Sequence, residues 1–266
     1  MKSLNLWPIG NCQVSALVDD AAGFAWACAP RVDGDPLFCS LLDPKDGDGR
    51  GEWRISLEDQ ISVEQRYLRN TAILVTRLTD ADGAVAELFD FCPRFDRSGR
   101  TYRPVAFARI IRPVSGAPRI RVELNPATNW GAADAQRTSG SNHIRFLLKP
   151  QPLRLTTDAP VTHILDGRCF RLEKPLHFFL GPDEPFVGNV GHTLASMLHE
   201  TSDHWREWVR GLAIPLEWQT VVIRAAITLK LCQHEETGAI VAALTTSIPE
   251  AANSGRNWDY RYCWIR

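Results

Sequence analysis

Positive charge is not in surplus in this chain: 30 Lys and Arg stand against 31 Asp and Glu, a formal net charge of −1. Nucleic acid and anionic membrane surfaces both demand concentrated positive charge, so neither is expected as a partner. No apolar run comes near the roughly 18 residues of a membrane span. The opening Met1-Lys2-Ser3-Leu4-Asn5-Leu6-Trp7-Pro8 has no apolar stretch of the kind a secretory signal needs. The seven cysteines, at 12, 28, 39, 92, 169, 232 and 263, include no Cys-x-x-Cys pair, which removes zinc-ribbon and thioredoxin motifs. Most have apolar neighbours, as in Trp26-Ala27-Cys28, and read as small buried hydrophobes in a reduced, cytoplasmic protein. A Gly-x-Ser-x-Gly elbow, a Gly-x-Gly-x-x-Gly turn and a phosphate loop are also missing. No cofactor and no metal are expected.

Two stretches imitate metal motifs and fail on geometry. Counted from Asp46, the acidic run Asp43-Pro44-Lys45-Asp46-Gly47-Asp48-Gly49-Arg50-Gly51-Glu52 puts Arg50 at the fifth position of a calcium loop. It puts Leu57 at the twelfth, where a bidentate Glu belongs, so a solvated Asp-Gly loop is expected. In His199-Glu200-Thr201-Ser202-Asp203-His204 the histidines are five apart, which separates them by about 140° around a helix. They cannot converge on one ion.

What is present is strand pattern, then helix pattern. Through about residue 190 short apolar runs alternate with turns. Ala72–Leu78 and Ala84–Phe91 flank Asp82-Gly83, the signature of a hairpin. Val105–Ile111 and Arg119–Leu124 are expected to form a second pair, the latter with one wet face. Further strands are expected at His143–Leu148, Leu153–Leu155, Arg168–Leu172 and Leu176–Leu180. The period then changes to helical over His192–Arg210, stopped by Gly211. A second helix after Pro215 carries Trp218, Val221, Val222, Ala225, Ala226, Leu229 and Cys232 on one face. The fold class is mainly β, an antiparallel sandwich followed by a linker helix and the first helix of something larger. That last stripe needs partners, and a chain closing on Tyr262-Cys263-Trp264-Ile265-Arg266 reads as interrupted. Nine Trp are more than usual; core packing is the ordinary role of each, and a flat face for a sugar is the alternative.

The closing segment differs in kind. Asn257-Trp258-Asp259-Tyr260-Arg261-Tyr262-Cys263-Trp264-Ile265-Arg266 packs Arg, carboxylate and rings into ten residues. Arg and carboxylate can fork onto vicinal hydroxyls while Trp and Tyr cover the apolar face of a sugar ring. A packed loop at the end of a helix bundle is the competing reading.

Thr237-Gly238-Ala239-Ile240-Val241-Ala242-Ala243, Thr245-Thr246-Ser247-Ile248-Pro249-Glu250 and the closing segment together resemble the opening of the catalytic domain of family 15 glycoside hydrolases. That family includes glucoamylases, glucodextranases and trehalases. Ile9-Gly10-Asn11, Pro30-Arg31-Val32-Asp33, Leu41-Leu42-Asp43, Gln65-Arg66-Tyr67-Leu68 and Asp90-Phe91-Cys92-Pro93 are similar to its amino-terminal motifs. The resemblance implies a super-β-sandwich over residues 1–190, a linker helix over 191–214 and, over 215–266, the start of an (α/α)6 barrel. It implies an α-glucosidic saccharide as ligand, with Trp264 and Arg266 in the glucose subsite and Tyr260 beside the scissile bond. Trp258 and Tyr262 are expected to pack beneath that loop, and Arg224, Lys230 and Glu250 to be structural.

In such enzymes one Glu protonates the glycosidic oxygen and a second activates water on the opposite face, roughly 6.5–9.5 Å away, inverting the anomeric centre. The resemblance places both on later barrel helices, so no catalytic residue is assigned here and the chain by itself is expected to be inactive. It is further expected to self-associate through the uncovered stripe of the first barrel helix. The competing class is a non-catalytic β-sandwich that binds carbohydrate or another protein.

Overall fold

The computed structural model describes residues 3–42 and 49–264. The acidic residues 43–48, Ile265 and the subsite candidate Arg266 lie outside them. Two antiparallel sheets face each other. In the first, neighbouring strands are Trp7–Gly10, Ser15–Val18, Gly23–Cys28, Glu52–Leu57, Arg119–Asn125 and Phe170–Arg171, with Pro36–Phe38 added to Gly23–Cys28. In the second they are Arg137–Ser139, His143–Phe146, Leu153–Thr157, Leu176–Pro182, Phe107–Ser115, Val85–Phe91, Leu74–Asp80 and Gln60–Tyr67. Phe24, Trp53, Ile55 and Val122 of the first meet Leu78, Leu88, Phe107 and Phe178 of the second in the main core. A short helix, α1 (Val161–Leu165), closes one end through Val161 and Ile164.

The Asp-Gly hairpin forms as its sequence dictates. The Asp80 carboxylate accepts from the amides of Asp82 (3.0 Å) and Ala84 (2.8 Å), and Gly83 supplies a φ of +79° that a side chain would resist. The second expected pair does not form. Phe107–Ser115 lies in the second sheet between Val85–Phe91 and Leu176–Pro182, whereas Arg119–Asn125 pairs with Glu52–Leu57 in the first. The intervening Gly116-Ala117-Pro118 carries the chain from one sheet to the other. The clue was the burial pattern: one strand is apolar on both sides and the other on one only.

The reason a strand such as Val85–Phe91 is buried along its whole length lies in α2 (Val190–Arg210). Asn189 caps this helix by accepting the His192 amide at 2.9 Å. Leu194, Met197 and Leu198 then cover Phe89, Phe91, Ile110 and Phe179 on the outer face of the second sheet. Helix α2 is therefore part of the sandwich's own core.

Inside the sandwich the apolar core is broken by one ion pair. Arg109 and Asp90 are cross-strand neighbours with fully buried side chains. The guanidinium donates to Asp90 at 2.8 and 3.2 Å, then crosses to the first sheet, donating to the carbonyls of Trp53 (2.7 Å) and Ala22 (2.6 Å). It also lies over the rings of Phe24 and Trp53.

The third helix, α3 (Gln219–Leu231), leaves the expected stripe uncovered and packs by a second apolar face. Ile227 and Leu231 are the residues it buries, against Ala72, Trp205 and Val209. Trp218, Val221 and Leu229 stand 77%, 65% and 63% exposed. The helix is apolar on two faces, and Arg224 decides which one meets the sandwich. Its guanidinium sits 3.8 Å from the Tyr67 ring centroid and donates to the Thr71 carbonyl at 2.9 Å. Among the described residues no helix is long and apolar enough to cross a membrane.

Candidate functional site

After α3 the chain runs out and back as a ragged antiparallel ladder. Val241 bridges Cys263 and Thr246 bridges Asp259. The amides of Ala242, Ala243 and Ser247 donate to the carbonyls of Tyr262, Tyr260 and Trp258 at 2.8–3.0 Å. In an extended segment alternate residues share a face. Tyr260 and Trp264 accordingly stack, with ring centroids 4.9 Å apart and planes 20° apart. The Tyr260 hydroxyl donates to the Glu250 carboxylate. Beside the stack, Gly238, Ala239, Ile240, Val241, Ala242, Cys263 and Trp264 line an open recess of about 490 Å³. Its floor is apolar and the Trp264 ring forms part of its wall.

The opposite face of the ladder anchors it to the sandwich. Asp259 and Arg261 form a bidentate pair at 2.9 and 2.7 Å. The same guanidinium, on a residue only 3% exposed, donates to the carbonyls of Gly34 (2.6 Å) and Val32 (3.5 Å) and to Cys28 Sγ (3.4 Å). Burial, which by itself raises the Asp259 pKa, is outweighed by these hydrogen bonds, and the carboxylate is held below its ordinary range. Burial pushes the Cys28 thiol up to about 12 despite the adjacent Arg261 charge, so this cysteine is a packed, unreactive neighbour. Leu244 and Ile248 complete the attachment over Trp26, Cys28 and Leu41 on the outer face of the first sheet.

Packing beneath the loop, expected of Trp258 and Tyr262, is therefore done by Arg261. The two rings are 45% and 52% exposed. The period of two explains this, since Asp259 and Arg261 take the sandwich side and the even-numbered aromatics take the other. Sequence reasoning missed Arg261 because the resemblance drew the ligand contact to Arg266 and left Arg261 without a role. The usable signal was Asp-x-Arg, which places opposite charges on one face of an extended chain.

The sandwich motifs converge on the same seams. Asn11 donates to the carbonyls of Pro93 and Pro104 at 3.0 and 2.8 Å. Arg94 follows the Asp90–Pro93 motif and is nearly fully buried. It donates to Asn11 O (2.9 Å), to Glu235 after α3 (3.0 Å) and to His204 Nε2 on α2 (2.8 Å). Burial and the Arg94 charge push the His204 pKa down, which keeps that nitrogen free to accept. His199 instead faces Asp203 at 3.4 Å, so the two histidines serve different neighbours. Lys230 donates to Gln233 at 2.7 Å, and neither it nor Arg224 is among the residues that line the recess. Among the described residues no group of three or more His, Cys, Asp or Glu could hold a metal ion.

Residues 5–167 match the family model "Trehalase-like, N-terminal", and residues 218–266 match "Glycosyl hydrolases family 15". The trehalase of Thermoplasma volcanium is 28% identical across 97% of this chain. The trehalase of Mycolicibacterium smegmatis is 29% identical and trehalase 1 of Sulfolobus acidocaldarius 30% identical, each again across 97% of the chain. In each case the chain spans 42% of the relative's length. The chain belongs to the trehalase-like family of family 15 glycoside hydrolases, whose amino-terminal portion it matches.

Proposed function

We propose that this chain is the amino-terminal part of an inverting α-glucoside hydrolase, with trehalose the first substrate to test. The observation that carries this reading is the Tyr260–Trp264 stack beside an apolar recess, fixed from behind by Arg261 and from the side by Glu250. Residues 1–190 serve as the sandwich, 191–214 as the linker and 215–266 as the beginning of an (α/α)6 catalytic domain. Trp264 lines the non-reducing-end glucose subsite, Arg266 donates to its hydroxyls, and Tyr260 flanks the scissile bond. The acid and base carboxylates come from helices that follow. Trehalose is favoured because the compared relatives carry the name trehalase.

This chain alone should release no glucose from trehalose, maltose or isomaltose at high protein concentration, while the whole protein encoded by the gene should release it from at least one of them. Turnover by the 266-residue chain above a buffer blank, or none by the whole protein, contradicts the proposal.

The uncovered stripe of α3 is the surface on which later barrel helices pack. Without them, Trp218, Val221 and Leu229 should bind a hydrophobic dye and draw chains together. Light scattering should report a mass above one chain, and Val221→Ser with Leu229→Ser should restore a dye-silent monomer. A wild-type chain already monodisperse and dye-silent would count against this.

A further inference from the structure

We propose that Arg94, reaching Glu235 from the sandwich, positions the chain that lines the recess, and that His204 makes this grip weaken at acidic pH. The grip acts on the recess-lining chain whatever ligand fills the recess, so it stands or falls separately from the hydrolase reading. After α3, residues 232–241 turn back on themselves. The amides of His234, Gly238 and Val241 donate to the carbonyls of Ala239, His234 and Cys232 at 2.8–2.9 Å, and Gln233 bridges Ile240. The returning half, residues 238–241, lines the recess. The outgoing half carries Glu235, whose amide donates to the Cys12 carbonyl at 3.3 Å and whose carboxylate takes two bonds from the Arg94 guanidinium. Both links tie the turn to the sandwich.

Arg94 is committed on every side. Nη1 also donates to the Asn11 carbonyl at 2.9 Å, the Arg94 amide donates to Thr201 Oγ1 at 3.1 Å, and Nε donates to His204 Nε2 at 2.8 Å. A guanidinium only donates, so that imidazole nitrogen carries no proton and the histidine is neutral. Its Nδ1 faces Asp96 at 3.5 Å. Protonating His204 sets two positively charged N–H donors against each other. Arg94 cannot turn away while Asn11 and Glu235 hold it, so one of those bonds must give. Asn11 is wholly buried, whereas the Glu235 side chain is 30% exposed and is the more readily returned to water. The Arg94 hydrogen bonds hold Glu235 below the ordinary carboxylate range, which leaves His204 as the group at this junction that titrates in mild acid. Burial and the Arg94 charge hold its pKa below the ordinary 6.5, and opening the junction lets it rise again. The closed form is therefore favoured above about pH 6.5 and loses ground as pH falls below it. Glu200, Asp203, Arg206 and Glu207 of α2 share with Asp96 the cavity beside His204, and His234 lies in the turn itself, 3.2 Å from Thr237. Arg103, 3.7 Å from Glu235, does not titrate in this range, so the grip loosens rather than vanishes.

The test is amide exchange of this chain at pH 7 and pH 5, read by mass spectrometry and corrected for the intrinsic pH dependence of exchange. Protection over residues 233–242 should fall by about three- to twentyfold at pH 5, within what one histidine proton can produce, while residues 85–91 keep theirs. His204→Gln offers Arg94 an acceptor that does not titrate, so it should retain most of the protection at pH 7 and abolish the pH response. Glu235→Ala cuts the link and should give fast exchange over residues 233–242 at both pH values. His234→Asn should leave the response intact, which separates His204 from the histidine in the turn. Equal protection at both pH values in the parent, a response that survives His204→Gln, or one that His234→Asn removes would overturn the pH-sensitive grip. Parental protection at pH 7 in Glu235→Ala would overturn the positioning role of Arg94.

Discussion

Replacing Arg109 with methionine should lower the free energy of unfolding by about 3–5 kcal/mol, the usual cost of stripping one partner from a buried ion pair. Methionine fills much of the same volume, so the loss is electrostatic. Asp90 remains fully buried with its strongest partner gone, and the carbonyls of Trp53 and Ala22 lose their donor. A cost of that size is a large share of the 5–15 kcal/mol that holds a typical domain together, so the single variant can fall short of folding. The double variant Asp90→Leu/Arg109→Met keeps the test decisive. It removes both charges and should recover at least half of the loss in urea unfolding, because an apolar pair of similar volume often replaces a buried ion pair without penalty. A single variant within about 1 kcal/mol of the parent, or a double variant worse than the single, contradicts this account of the core.

The second large effect is local. Arg261→Met should release the ladder of residues 241–263 from the sandwich while leaving the two sheets intact. The guanidinium makes two bonds to Asp259 and reaches the Gly34 and Val32 carbonyls, and hydrogen bonds to charged groups contribute about 1.5–3 kcal/mol. Amide exchange at Ala242, Ala243 and Ser247, all donors within the ladder, should accelerate by about tenfold to a hundredfold, which corresponds to roughly 1.4–2.8 kcal/mol. Amides of Val85–Phe91 should not change. Arg261→Lys should fail to rescue, because an ammonium cannot fork onto Asp259 and reach two carbonyls as well. Unchanged exchange in the ladder would show that Leu244 and Ile248 suffice to hold it.

The β-rich fold with its trailing helices was legible because strand and helix periods are local properties. The hairpin around Gly83 needed only an Asp-Gly turn and two apolar runs, and α2 needed only its 3.6-residue period and Gly211. Pairing was less legible. Val105–Ile111 and Arg119–Leu124 looked adjacent because they are close in sequence, yet the chain changes sheets at Gly116–Pro118. Among the strands of the first seventy residues, the six buried residues of Gly23–Cys28 show no alternation, whereas Glu52–Leu57 alternates residue by residue and its signal went unused. In α3 two apolar faces competed, and the choice was made by Arg224 reaching the Tyr67 ring, a contact 157 residues away in sequence. The same limit governed the candidate site. That Tyr260 and Trp264 share a face follows from alternation along an extended segment, whereas the anchoring role of Arg261 depends on carbonyls at Val32 and Gly34 that no local pattern points to.

The central claim is that this chain begins an enzyme that hydrolyses an α-glucosidic bond with inversion. Proton NMR of trehalose during its first minutes with the whole protein tests it most directly. Both anomeric centres of trehalose are α. Water entering opposite the leaving group turns one of them to β, while the released glucose keeps the other, so equal α- and β-glucose should appear before mutarotation mixes them. Newly formed glucose that is α alone, or a protein that leaves trehalose, maltose and isomaltose untouched, would contradict the account.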